Sequence, residues 1–146
     1  MHARQQIREA AVTLITGLTT TGTRVYDSRF FELEATNVPA WAVYTTEEAE
    51  ESEISAMGGQ LSRTCNLSFV GLARALTGQA LQQTLDTMAE ELEEVVLRNS
   101  ITGAELILSG TEWEFDVEES DATEGKVTVT YACRYFTNQG TPAVLI

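Results

Sequence analysis

Val127-Thr128-Val129-Thr130-Tyr131-Ala132-Cys133-Arg134-Tyr135 alternates apolar or aromatic residues with polar or small ones at nearly every step. A period of two puts one set of side chains on a core and the other set toward solvent, as a half-buried strand requires. Upstream, Trp113, Phe115 and Val117 alternate with Glu112, Glu114, Asp116 and Glu118 in the same way. Two such runs predict a long antiparallel hairpin, closed by a turn at residues 120–125, where Ser120, Asp121 and Gly125 favour a reversal. The segment before the hairpin supplies a cover for its apolar side. Leu81, Leu85, Met88, Leu92 and Val95 or Val96 recur at intervals of four, three, four and three. They share one stripe of a helix, predicted over residues 77–98, with Gln82, Asp86, Glu90 and Glu93 on its surface.

Toward the start of the chain, Leu61, Cys65, Leu67 and Phe69 share one parity and Ser62, Thr64, Asn66 and Ser68 the other, which predicts a further half-buried strand. Arg63 breaks the apolar face of that strand. Residues 25–31 and 40–45 are rich in aromatic and β-branched side chains and read as two strands joined by a bend at Asn37-Val38-Pro39. Ile7, Ala11, Leu14 and Leu18 mark an amphipathic helix over residues 3–18, stopped by Thr19-Thr20-Thr21-Gly22. The charge block Glu47-Glu48-Ala49-Glu50-Glu51-Ser52-Glu53 and the pair Gly58-Gly59 oppose regular buried structure, so residues 46–59 are expected to form a flexible acidic loop. Residues 137–146 form a C-terminal arm ending in Ala143-Val144-Leu145-Ile146, whose apolar tip must dock on its own domain or on a neighbour's sheet or groove.

The order helix, strands, loop, strand, helix, strands lacks the alternation that builds a parallel βαβ sheet. The expectation is an α+β fold in a single domain, residues 1–146, with two amphipathic helices packed on one face of a mainly antiparallel sheet. A chain of 146 residues has the usual size for one core. Hydrophobic residues at 43% and charged residues at 21% fit a globular chain and count against disorder.

Nine Lys and Arg against twenty-two Asp and Glu leave a net charge of −13, which repels phosphate backbones and anionic lipid. Arg4, Arg8 and Glu9 interrupt any apolar leader near the start, and no apolar run suits a membrane span, so the chain is expected to stay in the cytoplasm where it is made. Cys65 and Cys133 fit no zinc spacing and read as buried reduced thiols. His2 is the only histidine and sits at a terminus that ordinarily frays, which removes the fixed proton acceptor of Ser-His or Cys-His catalysis. Glu112, Glu114, Asp116 and Glu118 align on one strand face, and such a face is ordinarily the solvated side and not an acid/base pair. No phosphate-cradling glycine motif occurs. No enzyme activity, no metal site and no cofactor are expected; the acidic clusters at residues 47–53 and 90–94 either are simply solvated or hold a weak divalent cation between subunits.

Arg24, Arg29, Arg63, Arg74, Arg98 and Arg134 carry most of the positive charge, and arginine's fork of donors suits carboxylates across an interface as well as local surface pairs. By its parity Arg63 is the best interface or buried-pair candidate. The candidate interface set is Arg24, Arg29, Glu47, Glu48, Glu50, Glu51, Glu53, Arg63, Val144, Leu145 and Ile146.

The N-terminal amphipathic helix, Arg24-Val25-Tyr26-Asp27-Ser28-Arg29, Val38-Pro39-Ala40 leading into Val43-Tyr44, and the acidic segment behind them resemble tail terminators of long-tailed bacteriophages. The strand near residues 63–70, the helix over residues 85–96 and the two final strands extend the likeness over nearly the whole chain. What the resemblance implies is a hexameric ring of this chain that caps the tail tube, ends tube polymerisation and offers the surface for head-tail joining. The partners would be itself, the tail tube protein and head-tail connector proteins, with DNA passing through the lumen without specific binding, no membrane, and a place at the head-proximal end of the virion tail. A head-tail connector or neck protein is the near alternative. An acidic DNA mimic, marked by carboxylates spread over one continuous surface, is the rival from a different class.

Overall fold

The computed structural model describes residues 2–27, 38–52, 60–99, 101, 103–117, 123–138 and 140, with backbone alone at residues 47–52, 60, 116, 117, 123 and 138. Its elements are α1 (Ala3–Ile15), β1 (Val25–Asp27), β2 (Ala40–Ser52), β3 (Gln60–Ala75), α2 (Gly78–Arg98), β4 (Ala104–Val117) and β5 (Thr123–Asn138). The fold is α+β: one five-stranded sheet in the order β1-β2-β3-β5-β4, antiparallel except for the parallel β1–β2 pair.

Alternation decides which side of the sheet is covered. Cys65, Leu67 and Phe69 of β3 and Val127, Val129, Tyr131, Cys133 and Tyr135 of β5 are buried, and the residues between them are less so. Leu81, Leu85, Met88 and Leu92 of α2 and Ala3, Ile7, Ala11 and Ile15 of α1 join the same core. Both helices therefore lie on one face, α2 over β3 and β5, α1 over β1 and β2. The opposite face is polar, with Arg134 Nε donating to Ser62 Oγ at 3.1 Å.

Two glycines let α2 approach closely. A Cβ on Gly71 would stand 2.9 Å from both Met88 Cε and Trp41 Cζ3, and one on Gly125 would stand 3.0 Å from Leu81 Cδ2. Side chains at these positions would lift the helix off the sheet, so glycine here sets the depth of packing. Thr77 caps α2 by accepting from the Ala80 amide at 3.1 Å.

Several expectations need correction. Thr46 to Ser52 are not loop: they continue β2 and pair with β3, Glu50 standing opposite Arg63 in register. The charge block pointed to loop, yet the backbone stays paired with β3 through a one-residue register shift between Thr46 and Glu48. The remainder of that expected loop, residues 53–59, lies outside the described residues. Thr123, Glu124 and Gly125 belong to β5 and not to the hairpin turn, and Thr137 and Asn138 are strand, with Thr137 buried, so the arm cannot start at 137. The first strand is described over Val25–Asp27 and pairs in parallel with β2, Val25 opposite Trp41, while the rest of its expected span, residues 28–31, lies outside the described residues. Residues 28–37 are outside the described set.

Candidate interaction surfaces

Arg24 leads into β1 and makes two local hydrogen bonds. Its Nε donates to the Pro39 carbonyl at 2.8 Å and its Nη2 to the Thr20 carbonyl at 3.2 Å, fastening the turn after α1 to the start of β2. This role needs no second subunit.

Arg63 is only 6% exposed. It sits on the helix side of β3, donates from Nε to Thr137 Oγ1 at 2.9 Å, and places Nη1 3.4 Å from His2 Nε2. Of the two expectations for Arg63, burial with internal partners describes it, and almost none of it is available to another molecule. His2 also departs from expectation. Its Nδ1 accepts from the Arg4 amide at 3.1 Å, so the ring caps α1 instead of fraying.

Glu47, Glu48, Glu50 and Glu51 fall on β2, where backbone alone is described; Arg29, Glu53, Val144, Leu145 and Ile146 lie outside the described residues. The arginines of the wider set spread over the fold. Arg74 pairs with Glu124, Arg98 reaches Glu94 at 3.8 Å, and Arg134 lies over the Phe136 ring at 5.1 Å. Each of these three cations thus has a local contact within the chain.

The surface that parity alone did not expose is on β4. This strand begins at Ala104, well before the Trp113 run, and its register shifts between Leu108 and Gly110. Leu108 stands opposite Tyr131 before the shift and Trp113 opposite Val127 after it, so both face the helix side despite their different parity. That side is apolar, and no described element covers it, because β4 is the sheet edge and α2 lies over β3 and β5. Leu108, Trp113 and Phe115 remain 47%, 45% and 44% exposed.

Between α2 and β4 runs an open groove of about 430 Å³, lined by Asp86, Ala89, Glu90, Glu93, Glu94, Leu97 and Trp113. The helical members recur at steps of three, one, three, one and three, which is one flank of α2. Glu94 has Arg98 beside it, whereas Asp86, Glu90 and Glu93 have no cation partner among the described residues. Glu93 is felt at the sheet: Tyr131 is pushed up to about 12, first by burial and then by Glu93.

Among the described residues no group of His, Cys, Asp or Glu is arranged to hold a metal ion, and no helix is long and apolar enough to cross a membrane. No protein-family model matches this chain, and no curated protein matches it.

Proposed function

We propose that this chain is a structural protein of a phage virion, a tail terminator that assembles into a ring, caps the tail tube and presents the surface to which the head is joined. The observation that carries this reading is the edge position of β4, whose outer side pairs with no strand among the described residues and whose Ile107 and Leu108 are about half exposed. An edge strand with large apolar side chains invites another chain, and natural monomers ordinarily blunt such edges.

The far side of the sheet supports a ring over a two-fold pair. There β1 pairs with Trp41 to Val43, and among the described residues no strand pairs with the rest of that side of β2, a second edge that is acidic and polar in sequence. Two unlike edges on opposite sides favour head-to-tail contacts, which close into rings when the rotation per subunit allows. A net charge of −13 suits a lumen through which DNA slides without sticking. In this reading the protein performs no catalysis and needs no cofactor, and it acts at the head-proximal end of the tail. Addition of the ring removes the template for the next tube subunit.

The test is the particle mass in solution, with and without magnesium, followed by negative-stain imaging and a tube-growth assay with the tail tube protein. Rings that arrest growth at the tube end are expected. A monomer at every concentration, with tubes present, sinks the proposal. Rings that bind the head-side connector and leave tube growth unaffected would make it a neck protein instead. Magnesium-dependent assembly would assign the acidic clusters to a cation between subunits.

A further inference from the structure

We infer that the groove between α2 and β4 is a docking site for a cationic, apolar segment of another protein, which lays a large apolar side chain on Trp113 and Leu97 and sets an arginine or lysine against Asp86, Glu90 and Glu93. This inference does not depend on the ring.

The groove exists because the helix layer is one element short. α1 covers β1 and β2, α2 covers β3 and β5, and among the described residues no element covers the helix-side face of β4. Its floor is apolar, with Trp113 45% exposed, and Leu97 stands above it at 88% in the last turn of α2. The volume of about 430 Å³ falls within the range of about 300–1,000 Å³ in which proteins seat ligands. Exposed tryptophan is also the residue most often found to dominate the energy of a protein contact, and its face attracts cations.

Charge selects the occupant. The wall offers three carboxylates with no cation partner among the described residues, and a partner that brings cations answers them. A second copy would bring a further net charge of −13. Among the described cations, Arg8 is held by Asp27, Arg74 by Glu124, Arg98 by Glu94 and Lys126 by Glu114. The apolar run Ala143-Val144-Leu145-Ile146 of this chain carries no cation and would leave the carboxylates unanswered. An anionic lipid surface would be repelled. A basic amphipathic segment meets both the floor and the wall.

The experiment uses the full chain and a synthetic amphipathic helix of leucine, alanine and arginine, with an oligo-arginine of equal charge and a glutamate-for-arginine version as controls. Binding is followed by anisotropy of a labelled peptide at two salt concentrations. The amphipathic cationic peptide should bind, with affinity falling as salt rises. Trp113→Ala, and the double variant Glu90→Gln with Glu93→Gln, should each weaken binding about tenfold or more, a hot-spot-sized loss. The double variant Glu105→Gln with Glu112→Gln removes the same charge from the other face of β4 and should change binding less than about twofold, since exposed charges acting from a distance are screened. Trp113→Phe keeps the apolar floor and should restore most of the affinity lost in Trp113→Ala, which also shows that the fold survives. Equal losses in the two glutamine pairs, oligo-arginine binding as tightly as the amphipathic peptide, or full affinity in Trp113→Ala would overturn the inference. So would a self-assembled particle in which Trp113 is already shielded from an aqueous quencher, because a second copy would then be the occupant.

Discussion

Cys65 and Cys133 stand directly opposite each other on β3 and β5, both buried, and their thiols share a hydrogen bond across the pairing. The contact with Cys65 and burial together push the Cys133 thiol far up. Thiolate is the nucleophilic form, so both structure and acidity make this pair inert.

In the native protein, therefore, a thiol-reactive disulfide reagent at mildly alkaline pH should label neither cysteine, and guanidinium should release both at the rate of unfolding. Rapid labelling of the folded chain would contradict the burial described for these residues.

Substitution of Gly71 tests how closely α2 approaches the sheet. Gly71→Ala places a methyl 2.9 Å from Met88 Cε and Trp41 Cζ3 and 3.0 Å from Val127 Cγ1. Overpacking of this kind should destabilise the domain by about 1–3 kcal/mol. Gly78→Ala meets nothing within 4 Å at the start of α2 and should be neutral or stabilise by up to about 1 kcal/mol. Urea melts of the two variants should move in different directions, or one should not move.

Arg63→Ala separates a buried structural arginine from an interface one. Loss of the Nε bond to Thr137 Oγ1 within a buried site should lower the stability of the isolated domain by about 1–3 kcal/mol. An unchanged melting temperature together with a smaller particle mass would return Arg63 to the subunit interface.

Tyr131 sets an alkaline limit. Its hydroxyl is raised from an ordinary 10.0 to about 12 in the folded chain, by burial and then by Glu93. The unfolded chain therefore loses this proton first as pH rises, and binds fewer protons than the folded one between those values. Stability contributed by the neutral hydroxyl is complete below pH about 10 and declines toward pH about 12. Tyr131→Phe should flatten that decline in denaturant melts taken across the interval, and an unchanged slope would rule this origin out.

The elements with an unbroken period were legible along the chain. Leu81, Leu85, Met88 and Leu92 specified α2 and its buried stripe, and Val127, Val129, Tyr131, Cys133 and Tyr135 specified β5 with its inward face. Both patterns are local: a helix turn or a strand pleat returns to the same side within a few residues, so neighbours in sequence carry the whole signal. The α+β class followed from the order of those elements.

Elsewhere the decision was made by distant parts of the chain. The charge block of Glu47 to Glu53 made the end of β2 read as loop although its backbone pairs with β3, and the register shift after Leu108 exchanges odd for even, so the first half of β4 went unread. Whether Trp113 is core or surface could not follow from its alternation, because that depends on β4 taking the edge while β5 takes the place beside β3. Arg63 finds Thr137 across 74 positions of sequence, and no local pattern announces such a partner. Periodicity fixes which side a residue faces. Whether anything lies on that side is a matter of long-range pairing and helix placement, and here it leaves the apolar side of one strand open.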